Sequence, residues 1–319
     1  MSATNAPRIL VTGVAGYIGR QVAARLAVAH EVVGIDVRVP DGMRAPGTRG
    51  IDLRTMDIRD PGLADLVADE AITHVVHLAA ILDGTVDPDL ARDVDVNGTA
   101  NVVAACVGGG VKHLVVTSSG AAYGYHADNP IPLTEDDPLR GNETFPYSHH
   151  KRLVEDLLAT ARRDHPNLGQ LVLRVGTVLG LGTDNLISDL LSRRVLPVVA
   201  GAEAGFVFIW DSDLVDIIAT GVVESRTGIF NVAGSGSVSP ARVARTMGGV
   251  PVPIPAAALR AALAGLQLAG IGQYGPEQVD FLAHRPVLDN RRLLEEFAYT
   301  PSKTSSQALE AFATARREA

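Results

Sequence analysis

Over the first half of the chain, short apolar runs rich in β-branched residues alternate with longer stretches whose apolar residues recur at helical spacing. Residues 8–12, 31–35, 51–58, 73–78, 114–117 and 170–175 read as strands. Residues 17–29, 61–70, 88–107 and 147–164 read as helices; Pro61 suits a first helical turn, and the last helix stops before Pro166. Strand and helix alternating in this way predict βαβ units with right-handed crossovers and a parallel sheet covered on both faces, a doubly wound α/β architecture. Beyond residue 176 the rhythm loosens. Helical patterns occur at 186–194, 211–223, 239–247, 255–270 and 309–317, with strand-like runs at 206–210 and 229–233. The expected organisation is a sheet domain over 1–175, to which the chain returns around 206–233, and a smaller, mostly helical part over 176–319. Residues 40–50 and 128–146, the latter with four prolines, read as loops.

Composition narrows the classes. A chain of 319 residues is long enough for two domains, and 46% apolar against 20% charged residues allows a sizeable core. The net charge is −8, and basic residues fall in scattered pairs such as Arg162-Arg163 and Arg291-Arg292, which argues against nucleic acid as a main partner. The single Cys106 rules out an intrachain disulfide and a Cys-based zinc site; in an apolar helical stretch it reads as packing. No His, Asp and Glu cluster has metal-ligand spacing. Residues 1–7 lack the regions of a signal peptide, and the longest apolar candidate, 255–271, contains Arg260, so no membrane span is expected. The reading is a soluble protein of a reducing compartment, the cytoplasm.

The first strand ends in Gly13, Gly16 and Gly19, and a helix follows at once. Strand, glycine turn and helix N-terminus form a seat for a pyrophosphate. Gly13 allows the tight turn, Gly16 lets backbone approach the phosphates, and Gly19 lets helix and strand pack closely. The second strand leads into Asp36, about 20 residues beyond the turn, where a carboxylate can bond a ribose 2′-OH. Asp36 with no basic residue directly after it favours NAD over NADP, although Arg20 and Arg38 stand nearby.

Tyr147 and Lys151 are four apart at the opening of one helix and share a face. An ammonium beside a phenol favours phenolate, which makes a general acid or base. Ser119, just past the end of a strand, can donate to the same substrate oxygen.

These stretches together resemble the extended short-chain dehydrogenases/reductases, and within them the NAD-dependent epimerase/dehydratase family of UDP-glucose 4-epimerase type. Thr12-Gly13-x-x-Gly16-x-x-Gly19, which encloses Tyr17 and Ile18, is similar to that family's fingerprint. Asp57-Ile58-Arg59-Asp60 resembles its adenine-side segment, His77-Leu78-Ala79-Ala80 the cofactor-lining end of its fourth strand, and Asn97 an asparagine of its next helix. Residues 118–124 resemble its serine loop with Ser119 in the catalytic place, and Tyr147 and Lys151 match its catalytic pair. Leu173-Arg174-Val175-Gly176-Thr177 and residues 208–213 resemble later markers. The resemblance implies NAD held by Gly13, Gly16, Tyr17, Ile18, Gly19, Asp36, Asp57, Ile58, Leu78, Ala79, Ala80, Asn97, Tyr147, Lys151 and Arg174.

It also implies an enzyme in which Tyr147 takes a hydroxyl proton as hydride leaves the same carbon, Ser119 steadies the oxyanion, and Lys151 holds the nicotinamide ribose. An epimerase returns the hydride to the other face; a plain dehydrogenase releases the oxidised product. The motifs fit both. A UDP-sugar is the leading expectation, with Ser119, Tyr147, Thr177 and Arg285 facing it. Two positions depart from that pattern. Thr177 stands where such epimerases usually have Asn, and Phe206 where they often have an Arg for the diphosphate, leaving Arg285 as the match to a second one. The alternative is an NAD(P)-dependent dehydrogenase or reductase of a non-sugar alcohol, ketone or aldehyde, such as a hydroxysteroid. A non-catalytic dinucleotide-binding regulator fits less well, since Tyr147 and Lys151 are both present. A homodimer joined through 88–107 and 147–164 is implied as well.

Overall fold

The computed structural model of the protein describes residues 7–40, 50–82, 86–183, 195–269 and 275–318. The helix expected at 186–194 and most of the loop expected at 40–50 lie outside them. In chain order the strands are β1 (Arg8–Thr12), β2 (Glu31–Asp36), β3 (Ile51–Thr55), β4 (His74–His77), β5 (His113–Ser119), β6 (Gly169–Val175), β7 (Thr177–Leu179), β8 (Val195–Val199), β9 (Phe208–Trp210), β10 (Gly228–Val232) and β11 (Val250–Ile254). The chain forms two compact units, one from Met1–Ser118, Leu153–Leu173 and Ser212–Phe230, the other from Ser119–Arg152, Arg174–Asp211 and Asn231–Ala319. The segment after Ser118 therefore groups with the second unit, whereas the sequence reading placed the boundary at 175.

The first unit is built on the central sheet, whose order is β10-β6-β5-β4-β1-β2-β3. Strands β3, β2, β1, β4 and β5 all run parallel. The order reverses between β1 and β4, so the chain ends of these two strands diverge to opposite sides and open a crevice, the place where doubly wound sheets bind ligands. Ile9, Leu10 and Val11 are at most 1% exposed, as a strand covered on both faces requires. Helix α1 (Tyr17–Leu26) buries Gly19, Val22, Ala23 and Leu26, the i, i+3, i+4, i+7 stripe that binds it to the sheet. The long helix expected at 88–107 is broken into α3 (Pro88–Arg92), a π-helical turn at Asp93–Gly98 and α4 (Thr99–Gly108); α2 (Leu63–Asp69) precedes them.

At the start of β4 the His74 imidazole is buried between Thr73 Oγ1 at 2.8 Å and Ser225 Oγ at 3.0 Å, with the His113 ring 5.8 Å away. Burial, then the charges of His113, Lys112 and His30, push His74 down to about 4. A histidine depressed in the folded state is protonated more readily when unfolded. Its contribution is thus present above the unfolded value near 6.5 and is lost as pH falls towards 4, by about 3 kcal/mol. Urea unfolding at pH 7 and pH 4.5 is expected to show this slope and to show it flattened in His74→Gln; equal slopes in both proteins would refute the assignment.

The second unit holds two small parallel pairs, β7 with β9 and β11 with β8. Neither β8 nor β11 was legible as a strand, because Pro197, Pro251 and Pro253 interrupt them, which only a short edge pairing tolerates. Phe206, Phe208, Trp210, Val238 and Phe312 make one core cluster of this unit, and Tyr123, Leu133, Val207, Val287 and Leu288 another.

Candidate active site

In the first unit the glycine turn is shaped by backbone contact. Gly13 has φ +71°, and a Cβ there would lie 2.7–2.9 Å from the Leu78 and Ala79 backbone. A Cβ on Gly19 would meet Gly13 O at 2.1 Å. Gly16 differs: its Cβ would meet only Gly13 O, at 3.2 Å, so the space beyond it is open. Gly16 caps α1 in extended conformation, and no acidic residue occupies the first turn, which contains Tyr17 and Ile18. The positive end of the helix therefore carries no carboxylate from its own first turn. Asp36, the last residue of β2, accepts from Ala15 N at 3.0 Å through Oδ2, which sets its carboxylate at the turn. Thr12 Oγ1 lies 2.7 Å from His77 Nδ1, and His77 Nε2 3.0 Å from Thr99 Oγ1, a buried polar chain linking β1, β4 and α4. Leu78, Ala79 and Ala80 follow β4 half-buried.

Asp57 and Ile58 follow β3. Arg59 grips the Asp57 carboxylate with Nε and Nη2 at 2.6–3.2 Å, which holds that carboxyl below the usual range. Ile58 is buried against Gly98, where a Cβ would come within 2.5 Å. Asn97, expected at the cofactor, lies in the π-helical turn. The π-helical turn shifts the phase of the helix, so Asn97 is exposed and donates to Asp93 Oδ1 at 2.7 Å. The buried position is Asp95, whose Oδ1 accepts from Ile81 N at 2.9 Å, just past the β4 loop. No regular helical spacing would have singled it out.

In the second unit Ser119 ends β5, and its Oγ accepts from Ala121 N at 3.1 Å, opening a 3₁₀ turn at Gly120–Tyr123. Helix α5 (Pro146–Asp164) carries Tyr147 and Lys151 in its first two turns. Lys151 Nζ lies 5.6 Å from the centre of the Tyr147 ring. Among the described residues no group hydrogen-bonds the Tyr147 hydroxyl, whereas Lys151 is 6% exposed. Thr177 begins β7, half-buried, and donates its backbone N–H to Val207 O at 3.1 Å.

Arg174 belongs to the second unit. It is buried with Nη1 donating to Tyr123 Oη at 2.8 Å and Glu135 O at 2.9 Å, a brace of the segment after Ser119 where a cofactor contact was expected. Tyr123 lies 2.9 Å from Thr134 O and from Asn231 Oδ1, and burial pushes its phenol up to about 12. The Asn231 backbone N–H donates to the Glu135 carboxylate at 2.7 Å.

Arg285 is 6% exposed. Its guanidinium lies 3.5 Å from the centre of the Phe206 ring and 5.3 Å from that of Phe281. Nη2 donates to Leu282 O at 2.8 Å, while Nε and Nη1 have no partner among the described residues. Burial without a counter-ion pulls the group down to about 9, so it is still a cation at neutral pH. It lines a cavity of about 180 Å³ with His126, Asn129, Glu203 and His284. Tyr125 stacks edge-on against Phe145 and Phe281, at 4.9 and 5.3 Å. Sequence reading missed this aromatic group, because Tyr125 and Phe281 lie 156 positions apart and no local spacing joins them. Among the described residues no set of His, Cys, Asp and Glu could hold a metal, and no helix is long and apolar enough to cross a membrane.

The profile of the family described as "NAD dependent epimerase/dehydratase family" matches residues 9–233. An uncharacterized Mycobacterium tuberculosis protein is 25% identical over 311 residues, covering 95% of this chain and 82% of its own. UDP-glucose 4-epimerase 2 of Oryza sativa subsp. japonica is 32% identical over 186 residues, 54% of this chain and 45% of its own. In structure, the Thermotoga maritima UDP-glucose 4-epimerase solved with UDP-glucose superposes with a TM-score of 0.74 at 18% identity, over 98% of this chain and 99% of its own. The Bordetella bronchiseptica enzyme WbmG in complex with NAD gives 0.74 at 22% identity, over 100% and 96%. At these identities the two structures establish the shared fold.

Proposed function

The chain belongs to the NAD dependent epimerase/dehydratase family, and on that premise we propose that it oxidises a substrate hydroxyl with NAD as acceptor, on a nucleotide-linked sugar of the UDP class. The observation that carries the chemistry is the Tyr147–Lys151 pair at the opening of α5, with the Lys151 ammonium 5.6 Å from the phenol ring. The residues of the first unit suit the cofactor: the open space at Gly16, the N-terminus of α1 with no acidic residue in its first turn, and the Asp36 carboxylate at the turn. Tyr17 and Ile18 would flank the pyrophosphate, Asp57 and Ile58 the adenine, and Leu78, Ala79 and Ala80 the reactive half. When bound, NAD supplies a hydride acceptor. Tyr147 Oη takes the proton of the substrate hydroxyl, and Lys151 holds the nicotinamide ribose. The Ser119 lone pair is engaged by Ala121 N, which leaves its hydrogen to donate to the substrate oxygen as charge develops there.

Two of the similar proteins carry the name UDP-glucose 4-epimerase, and Arg285 is the cation here that would meet a diphosphate. A second reading, net oxidation or reduction of a non-sugar alcohol or ketone, is favoured by one observation: the Arg285 guanidinium is covered by Phe206, where a diphosphate gains most from open, paired guanidiniums. Thermal unfolding with NAD decides between them. A UDP-sugar is expected to raise Tm further, and Arg285→Leu to abolish that increment while keeping the NAD shift. If no UDP-sugar adds to the NAD shift and an alcohol panel reduces NAD, the sugar-nucleotide reading is wrong.

A further inference from the structure

Two buried hydroxyls tie the strand that carries Ser119 to the helix that carries Tyr147 and Lys151. Ser148, 0% exposed, donates to Ala121 O at 2.6 Å and accepts from Asn142 N at 3.1 Å. The same Ala121 offers its N–H to Ser119 Oγ. One residue, Ala121, is thus held through its N–H by the serine at the end of β5 and through its C=O by the residue next to Tyr147. Seven residues along α5, Glu155 is 4% exposed and accepts from Ser118 Oγ at 2.6 Å. Positions 148, 151 and 155 fall on one helical face, so Lys151 lies between the two attachments. A buried carboxylate on a serine hydroxyl is costly to place and strongly directional, more than packing alone would call for.

We propose that Ser148 and Glu155 are positioning residues, two buried latches that fix α5 in register with β5 and thereby set the spacing of Tyr147 and Lys151 from Ser119. The proposal rests on the reading of those three as the reacting groups. Neither latch touches substrate; each acts through the helix.

The test uses the full-length, NAD-loaded protein with ¹³Cζ-labelled tyrosine. The Tyr147 resonance is assigned by its loss in Tyr147→Phe. Ser148→Ala and Ser118→Ala are each expected to move it while leaving Tyr17 and Tyr299 in place. Glu155→Gln, which keeps an acceptor for Ser118, should leave it unmoved; should Glu155→Leu fail to fold, Ser118→Ala still removes the same bond. With UDP-glucose, Ser148→Ala is expected to lower kcat roughly 10-fold to 100-fold at nearly constant KM, and to add nothing to the loss in Tyr147→Phe. A Tyr147 resonance that stays put in both serine variants, or equal losses of kcat in both backgrounds, overturns the proposal. Full turnover in Tyr147→Phe would instead overturn the reading of the reacting groups on which it rests.

Discussion

Tyr147→Phe is expected to lower turnover by roughly 10³-fold, the scale of a lost general acid or base, while NAD binds as before. The substitution deletes one oxygen. Among the described residues that oxygen bonds nothing, so the folded chain loses no internal hydrogen bond when it goes. The ring stays, and with it the contact to Lys151 at 5.6 Å. Tm should therefore change little, and the Tm increment given by NAD should persist, because the glycine turn and Asp36 belong to a different part of the chain. The two readouts separate chemistry from folding. Turnover near the wild-type rate would remove Tyr147 from the reaction, whatever the substrate.

What could be read from the sequence, and what could not, follows from the range of the interactions involved. The glycine turn is local: Gly13, Gly16 and Gly19 act on backbone within a few residues or on the adjacent strand, and their spacing alone declares it. The Tyr147–Lys151 pair is local too, one helical turn. Asn97 rested on the family resemblance, and the π-helical turn that carries it, with Asp95 buried and Asn97 exposed, had no signature in the apolar spacing. The brace at Arg174 was not legible because its partners are remote: Tyr123 and Glu135 reach it only after the chain has folded, and no pattern around residue 174 hints at them. The Arg285–Phe206 stack joins residues 79 apart, so sequence could suggest an anion-binding guanidinium but not that an aromatic face covers it.

The second large effect concerns two glycines three residues apart that should respond to the same substitution in opposite ways. Gly19→Ala puts a methyl 2.1 Å from Gly13 O, 2.9 Å from Gly13 C and 3.0 Å from Val14 Cα. All three are backbone atoms of the turn after β1, so none can swing aside as a flexible side chain would, and the strain should exceed the ordinary overpacking cost of about 1–3 kcal/mol. Protein yield and Tm should fall sharply, and NAD binding with them. Gly16→Ala meets only Gly13 O, at 3.2 Å, and its φ of −66° suits alanine, so the ligand-free fold should stand within a few degrees of the wild-type Tm. The methyl fills the opening through which backbone would approach a pyrophosphate. Its expected penalty is a weakening of NAD binding by roughly 100-fold, about 3 kcal/mol. Calorimetric titration of NAD into Gly16→Ala measures this directly. Undiminished affinity in a well-folded Gly16→Ala protein would mean that the phosphates lie elsewhere, and the cofactor seat assigned to the β1–α1 turn would have to be given up.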